Sequence, residues 1–107
     1  MDLLDLKDAY NFKLLEFYAD WCGSCQTMSP IIDKFENKMQ NKLEVIKVDI
    51  DKTPQIAGMY QIKNVPSFVL FKNGKEIWRQ VGLITNRELK LVFQKFNIET
   101  ENSNHIK

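Results

Sequence analysis

The fold is decided by residues 12–25, which read FKLLEFYADWCGSC. The nearly continuous apolar run from Phe12 to Ala19 predicts a buried strand. A long helix is predicted to begin at or beside the two cysteines and to run to about Lys38, with a kink at Pro30. Apolar residues recur along it at helical spacing and predict its core-facing stripe: Met28, Ile31, Ile32, Phe35 and Met39. The cysteine pair is therefore expected at the junction between a buried strand and a helix.

The remaining segments predict an α/β sandwich. They indicate a strand, a short helix with Thr53 as N-cap, two strands joined by an Asn73-Gly74 hairpin turn, and a last helix capped by Thr85 or Asn86. A further short helix is expected before the first strand. The predicted bounds are about residues 3–10, 43–49, 53–60, 67–72 and 76–81, with the last helix following. This order implies a mixed sheet with helices on both faces.

Length and composition fit a single domain. The chain has 107 residues and a formal net charge of +1, so nothing favours nucleic acid as a partner. The longest apolar runs, such as residues 68–71, are far shorter than the about 20 residues that a membrane span needs. The acidic start, residues 1–5, lacks the basic and apolar regions of a secretory signal, which predicts a cytoplasmic protein. The domain is predicted to span residues 1–97, and the polar residues 98–107 to form a frayed tail.

The two cysteines, Cys22 and Cys25, predict chemistry rather than a structural bridge. A disulfide that closes so short a loop constrains the unfolded chain little. Unpaired N–H groups at a helix start stabilise an anion, so Cys22 is predicted to be the nucleophile and Cys25, one turn on, the resolving thiol. Gly23 allows a sharp turn between them. Zinc needs four ligands and the only other candidate of the Cys/His kind is His105, so no metal is predicted.

With these residues in view, the chain resembles the thioredoxin family over nearly its whole length. The segments that carry the resemblance are the active-site signature ADWCGSC (19–25), the helix-kinking Pro30, the cis-proline loop VPS (65–67), the hairpin FKNG (71–74) and the glycine turn VG (81–82). Each segment alone is weak, but all of them in order at compatible spacings are specific. The resemblance implies the thioredoxin fold. Because few residues precede Cys22, the family's usual first strand is expected to be missing, which leaves a four-stranded sheet.

The resemblance also implies where a substrate binds. The Val65–Pro66 peptide bond is expected to be cis and to lie beside the disulfide, with the Val65 backbone free to pair with an extended substrate segment. The implied substrate-binding residues are Trp21, Gly23, Ser24, Val65, Pro66 and Gly82. For Trp21 the alternative is a plain packing residue, although a substrate surface is favoured beside a reactive thiol.

Glu16 is the most informative charge, because it interrupts an apolar strand where an unpaired buried carboxylate is unfavourable. Thioredoxins usually have a buried aspartate behind the second cysteine, and Glu16 stands at that position. We therefore expect Glu16 to have a raised pKa and to accept the proton of Cys25. The resemblance implies Lys47, on the next strand, as its charge partner. The alternative is that Glu16 extends to solvent.

Two positions depart from the family's pattern. Ser24 replaces the usual proline, which adds a backbone donor and a hydroxyl near the thiolate. The sign of its net effect on the reduction potential stays open. Tyr18 stands where tryptophan is common, which is expected to alter the fluorescence change on reduction.

The predicted function is reduction of protein disulfides through a Cys22/Cys25 dithiol–disulfide cycle. Oxidase and isomerase relatives usually carry histidine between the cysteines, whereas Gly23 and Ser24 supply no cation, so reduction is favoured over that alternative. A second alternative is a thioredoxin-fold binding module whose redox activity is incidental. No dinucleotide motif is present, so no bound cofactor is expected. The resemblance implies a monomer that receives electrons from NADPH through a separate thioredoxin reductase and passes them to disulfide-containing proteins.

Overall fold

The structure, a computed structural model, describes residues 12–39 and 42–98. Its elements in chain order are β1 (Phe12–Tyr18), α1 (Gly23–Met39), β2 (Leu43–Asp49), α2 (Pro54–Met59), β3 (Ser67–Lys72), β4 (Lys75–Val81) and α3 (Asn86–Lys95). This order confirms the predicted one from the first strand onward. The helix predicted over residues 3–10 lies outside the described residues. In the part of the chain that the structure describes, no helix has the length and apolar character needed to cross a bilayer.

The described strands form one mixed sheet in the order β2-β1-β3-β4. β1 pairs in parallel with β2 and antiparallel with β3, and β3 pairs antiparallel with β4. Within the described residues, the four predicted strands are confirmed and form a single sheet. The strand expected to be missing concerns residues 1–11, which are outside the described range. Since β1 and β2 are parallel, their carboxyl ends lie side by side at one end of the sheet, where the chain continues into the cysteines.

Side chains of β1 alternate between two cores. Leu14 belongs to a cluster with α1 and α3, in which Phe35 and Phe93 meet edge to face with ring centroids 5.3 Å apart. Leu15 and Phe17 belong to the opposite cluster, formed with β2 and β3 and flanked by α2. All three β1 residues are fully buried, and burying each such side chain contributes about 1.5–3 kcal/mol. Burial on both faces explains the apolar run of this strand. It also holds β1 in place at the point where the chain continues to the cysteines.

Positive φ angles occur at the turns that the sequence marks. Asn73 (φ 53°) and Gly74 (φ 80°) form the two-residue turn between β3 and β4, as an Asn-Gly pair predicts. Gly82 (φ 94°) follows β4, in a backbone region that residues with a Cβ rarely adopt. Its N–H donates to the carbonyl of Pro66 at 2.8 Å. The glycine turn therefore lies against the proline loop.

Two details of the prediction are wrong. β1 ends at Tyr18 rather than Ala19, because the Ala19 carbonyl accepts the N–H of Cys22 at 3.1 Å and forms the turn into α1. Thr53 occupies the N-cap position of α2, but its side chain does not cap the helix. Its hydroxyl donates instead to the carbonyl of Asp49 at 2.8 Å. The Thr53 side chain thus fastens the loop to the end of β2.

The predicted domain boundary follows residue 97. Ile98, the first residue of the predicted tail, is buried in the core, and its N–H donates to the carbonyl of Phe93 at 2.8 Å. Residues 99–107 lie outside the described part of the chain. The boundary and the frayed tail stay predictions.

Thr85 caps α3 with a complete capping box. Its Oγ1 accepts the N–H of Glu88 at 3.0 Å, and the Glu88 carboxylate accepts the N–H of Thr85 at 2.9 Å. Thr85→Ala is expected to lower the free energy of unfolding, measured by urea denaturation, by about 1 kcal/mol. Thr85→Ser keeps the hydroxyl and is the matched control. An equal loss in both variants would show that the hydroxyl contributes nothing.

Candidate functional site

Cys22 and Cys25 are joined by a disulfide at the start of α1. Cys22 immediately precedes the helix and Cys25 lies in its first turn, with their Cα atoms 5.3 Å apart. Both are almost fully buried, with 5% and 3% of their surface exposed. They pack together with Ala19, Ile50 and Val65. The predicted pairing of the cysteines is confirmed, and such a pair is able to cycle between dithiol and disulfide.

Two donors approach the sulfur of Cys22. The backbone N–H of Cys25 donates to Cys22 Sγ at 3.1 Å, as expected at the N-terminal end of a helix. The hydroxyl of Ser24 lies 3.4 Å from the same sulfur, a contact that a proline at this position lacks. After reduction, both groups are able to donate to a Cys22 thiolate and stabilise it. Gly23, between them, is exposed and has open space beside its Cα.

Trp21 lies on the surface next to the disulfide in sequence. Its side chain is 69% exposed, which excludes the alternative that it is a packing residue. The indole Nε1–H donates to Asp51 Oδ2 at 2.9 Å. An exposed ring that a hydrogen bond holds in place offers a rigid apolar surface to a partner.

The proline loop packs against the cysteines. The peptide bond between Val65 and Pro66 is cis, as the resemblance implies. Val65 contacts the cluster of Ala19 and the two cysteines, and Pro66 is buried and bonded to Gly82. Val65 forms no backbone hydrogen bond to any other described residue. Its N–H and carbonyl are therefore able to pair with an added strand.

Glu16 is buried in β1, with 1% of its surface exposed. The alternative that it extends to solvent is wrong. Burial raises the pKa of its carboxyl group to about 7; the charge of Lys47 opposes the rise and that of Asp33 adds to it. Among the described residues, Glu16 Oε1 has no hydrogen-bond partner. A carboxyl group in this environment is able to take up or release a proton near neutral pH.

A cavity of about 270 Å³ between β1 and α1 connects Glu16 with Cys25. Its wall also includes Tyr18, Ala19, Asp20, Gln26, Ser29 and Lys47. Several polar side chains line the cavity, and it is large enough to hold water, so water is able to bridge the carboxyl group and the sulfur.

Lys47, the predicted charge partner, lies opposite Glu16 in the register of β1 and β2. Its ammonium group donates to Ser29 Oγ at 2.6 Å and pairs with Asp33 Oδ1 at 3.0 Å. In the described part of the chain, Lys47 forms no ion pair with Glu16. Its charge therefore acts on Glu16 through space rather than through a direct bond.

Three residues of this site are not predicted by the sequence patterns: Ser29, Asp33 and Asp51. For Asp51 the available signal is its place just after β2, because the carboxyl ends of two parallel strands lie together and Trp21 follows β1. For Ser29 and Asp33 the signal is their spacing, four and eight residues after Cys25 on α1. Helical geometry places Cys25, Ser29 and Asp33 on one face of α1.

Comparisons with known proteins agree with this geometry. The thioredoxin family model matches residues 4–95. A thioredoxin-like protein from Synechocystis sp. is 41% identical over 83 residues, which cover 78% of this chain and 79% of that protein. The chloroplastic thioredoxin Y of Oryza sativa is 43% identical over 76 residues, covering 71% of this chain and 45% of that protein. Among solved structures, a mutant thioredoxin from Halobacterium salinarum matches with a TM-score of 0.73 at 34% identity, covering 79% of this chain and 74% of that one.

Proposed function

Because the chain belongs to the thioredoxin family and is a thiol–disulfide oxidoreductase, we propose that its reaction is the reduction of disulfide bonds in other proteins. The observation that carries the proposal is the Cys22–Cys25 pair at the start of α1, with the Cys25 amide and the Ser24 hydroxyl directed at Cys22 Sγ. Oxidases and isomerases usually add a histidine between the cysteines, and this chain has none there. Without that cation the Cys22 thiolate is stabilised less, which makes the pair less oxidising and favours the reductase over those enzymes.

The reaction proceeds in two exchanges between sulfur atoms. The Cys22 thiolate attacks one sulfur of the substrate disulfide, forms a mixed disulfide with it, and releases the other sulfur as a thiolate that takes a proton. The Cys25 thiolate then attacks Cys22 Sγ and forms the Cys22–Cys25 disulfide. The second substrate sulfur leaves as a thiolate and is protonated in turn. Two electrons and two protons pass from the protein dithiol to the substrate disulfide.

Glu16 serves as the proton acceptor of the second exchange. Cys25 is buried and must lose its proton before it attacks. Glu16 lines the same cavity, and its pKa of about 7 lets the ionised carboxylate take that proton near neutral pH. The same cavity returns the proton to solvent.

Substrates bind along the apolar rim around the disulfide. Trp21 supplies an exposed ring on one side, and Val65, Pro66 and Gly82 supply the loop on the other. An extended substrate segment adds as a strand beside Val65, whose backbone groups form no other hydrogen bond among the described residues. Gly23 is exposed, Ser24 is partly exposed, and the open space beside Gly23 leaves room for a substrate next to Cys22.

The electron supply lies in a separate protein. The reductase of this chain takes electrons from NADPH and reduces the Cys22–Cys25 disulfide, while the chain itself acts as a monomer in the cytoplasm. The family supports a reductase and disulfide-containing proteins as partners. The absence of a dinucleotide motif in the sequence supports the external source of electrons.

The reduction potential of the Cys22–Cys25 pair tests this proposal. The protein is equilibrated with dithiol buffers of known potential, and free thiols are trapped and counted by mass spectrometry. We expect a value near about −270 mV, the potential of a reducing thioredoxin. A value between about −180 and −120 mV would assign an isomerase or oxidase instead. Biological activity retained after replacement of both cysteines by serine would assign a binding module.

A further inference from the structure

The ammonium group of Lys47 is held away from its nearest register partner. Lys47 and Glu16 lie opposite each other on the parallel strands β2 and β1, whose spacing is about 4.8 Å. A lysine side chain is long enough to reach a carboxyl group at that distance. Its Nζ instead donates to Ser29 Oγ at 2.6 Å and pairs with Asp33 Oδ1 at 3.0 Å, both on α1.

A direct bond between Lys47 and Glu16 would change what Glu16 is able to do. An opposite charge at contact distance lowers a carboxyl pKa by about 1–3 units. Glu16 would then be ionised throughout the neutral range and would bind a proton weakly. In the observed arrangement the Lys47 side chain is 36% exposed and that of Asp33 is 52% exposed. Water screens their charges there, and burial dominates the environment of Glu16.

We propose that Ser29 and Asp33 are positioning residues that clamp the Lys47 ammonium group at the mouth of the cavity, away from the Glu16 carboxyl group, so that Glu16 remains able to take the proton of Cys25. The inference rests on the proposed role of Glu16 in disulfide reduction. Ser29 contributes a hydrogen bond without charge, whereas Asp33 contributes a bond and a charge. The clamp acts through Lys47, and neither residue bonds to a cysteine sulfur. The charge of Asp33 also raises the pKa of Glu16 directly.

The other groups that face Glu16 carry no positive charge that could be held toward its carboxyl group or away from it. Its neighbour on β3 is Phe68, and α3 packs against the same core through the apolar side chains of Leu89 and Phe93. The other ionisable side chains on the cavity wall are those of Tyr18 and Asp20, together with Cys25 once the disulfide is reduced. Lys47 is the one cation among the described residues that line the cavity, so its position decides how strongly a positive charge acts on Glu16.

The test is a titration of the Glu16 side-chain carboxyl carbon by NMR in the oxidised protein, in which the disulfide-bonded cysteines do not titrate. Asp33→Asn releases Lys47 toward Glu16 and is expected to lower the titration midpoint by about one pH unit. Ser29→Ala, which changes no charge, is expected to lower it by a few tenths of a unit. Thr27→Ala is the matched control on α1, because Thr27 donates to the Gly23 carbonyl and not to Lys47. No shift is expected there.

Asp33→Asn also removes a charge that repels the ionised Glu16 carboxylate. The substitution is therefore repeated in a variant without the Lys47 charge, which separates this direct effect from the release of Lys47. In the Lys47→Gln background, Asp33→Asn is expected to lower the midpoint by less than half of its shift in the parent. An equal shift in both backgrounds would show that Asp33 acts by its own charge alone and would overturn the clamp. A midpoint unchanged or raised by Ser29→Ala would overturn it as well.

The titration does not depend on disulfide reduction, so the clamp and the proposed function fail separately. An oxidising potential together with shifted midpoints would refute the reductase and leave the clamp in place. The pH profile of the resolving step, measured by rapid mixing of the reduced variants with a peptide disulfide, is expected to move to lower pH with the midpoint. A profile that stays fixed while the midpoint moves would overturn the link between the clamp and Cys25.

Discussion

Serine in place of Cys25 is expected to lower the turnover of disulfide reduction by at least about 1000-fold and to trap the substrate on Cys22. The resolving thiol lies on the same turn as Cys22, with Cα atoms 5.3 Å apart. A group held so close reacts with an effective concentration that external thiols cannot match, since such values reach about 10⁵ M or more. Without Cys25, the mixed disulfide is released only by the external reductant. Turnover is measured with insulin and dithiothreitol, and the covalent adduct by intact mass spectrometry.

Cys22→Ser is the matched control, and the two variants differ in one observable. Both lose turnover, but only Cys25→Ser is expected to accumulate the adduct, because the donors at the N-terminal end of α1 are directed at Cys22 Sγ. Far-ultraviolet circular dichroism establishes that each variant is folded. An adduct in Cys22→Ser and none in Cys25→Ser would reverse the assigned roles of nucleophile and resolving thiol.

Strong local signals account for what the sequence predicts correctly. The β1 residues Leu14, Leu15 and Phe17 must be apolar because both faces of that strand are buried, and such a run has few other interpretations. Asn73 and Gly74 adopt the positive φ angles that this pair favours. The cysteine pair follows from the strand before it and the helical stripe after it. In each case one residue type satisfies one strong local requirement.

The details that the sequence does not predict depend on competition between partners. The Lys47 side chain is able to reach carboxyl groups on β1 and α1, and it bonds to Asp33 and Ser29 instead of Glu16. The Thr53 hydroxyl is able to accept from α2 or to donate to Asp49, and it donates. Alternatives of this kind differ by about 1 kcal/mol or less. Tertiary geometry decides between them, and a residue pattern carries no record of it.

Glu16→Gln is expected to remove a fall in the free energy of unfolding of about 2–3 kcal/mol between pH 5 and pH 8. The carboxyl pKa is about 7 in the folded protein, against an ordinary value of 4.5 for a glutamate side chain. The folded state therefore binds the proton more tightly than the unfolded state. The stability that this group contributes is full below about pH 4.5, is lost as pH rises through about 7, and stays flat above that. Urea denaturation of the oxidised protein across this range measures the difference between parent and variant.

Glu16→Gln also tests whether the buried carboxyl group that lowers stability serves the resolving step. Above pH 7 the variant is expected to be the more stable protein, since a neutral amide replaces a buried, ionised carboxylate, yet its resolving step is expected to be slower because Cys25 has lost its proton acceptor. Asp20→Asn, which removes an exposed carboxylate from the wall of the same cavity, is the control and should leave the slope of stability against pH unchanged. Parallel stability curves for parent and Glu16→Gln would show that the buried carboxyl group is not the cause. If the stability of the parent fell more steeply with pH than that of Glu16→Gln while the two proteins resolved the mixed disulfide at the same rate, the effect of burial would stand and the role of Glu16 in proton transfer would be refuted. Above pH 7, Glu16 lowers the stability of the parent protein relative to Glu16→Gln, and it speeds the attack of Cys25 on the mixed disulfide. The second effect accounts for an ionisable group in the centre of an apolar strand.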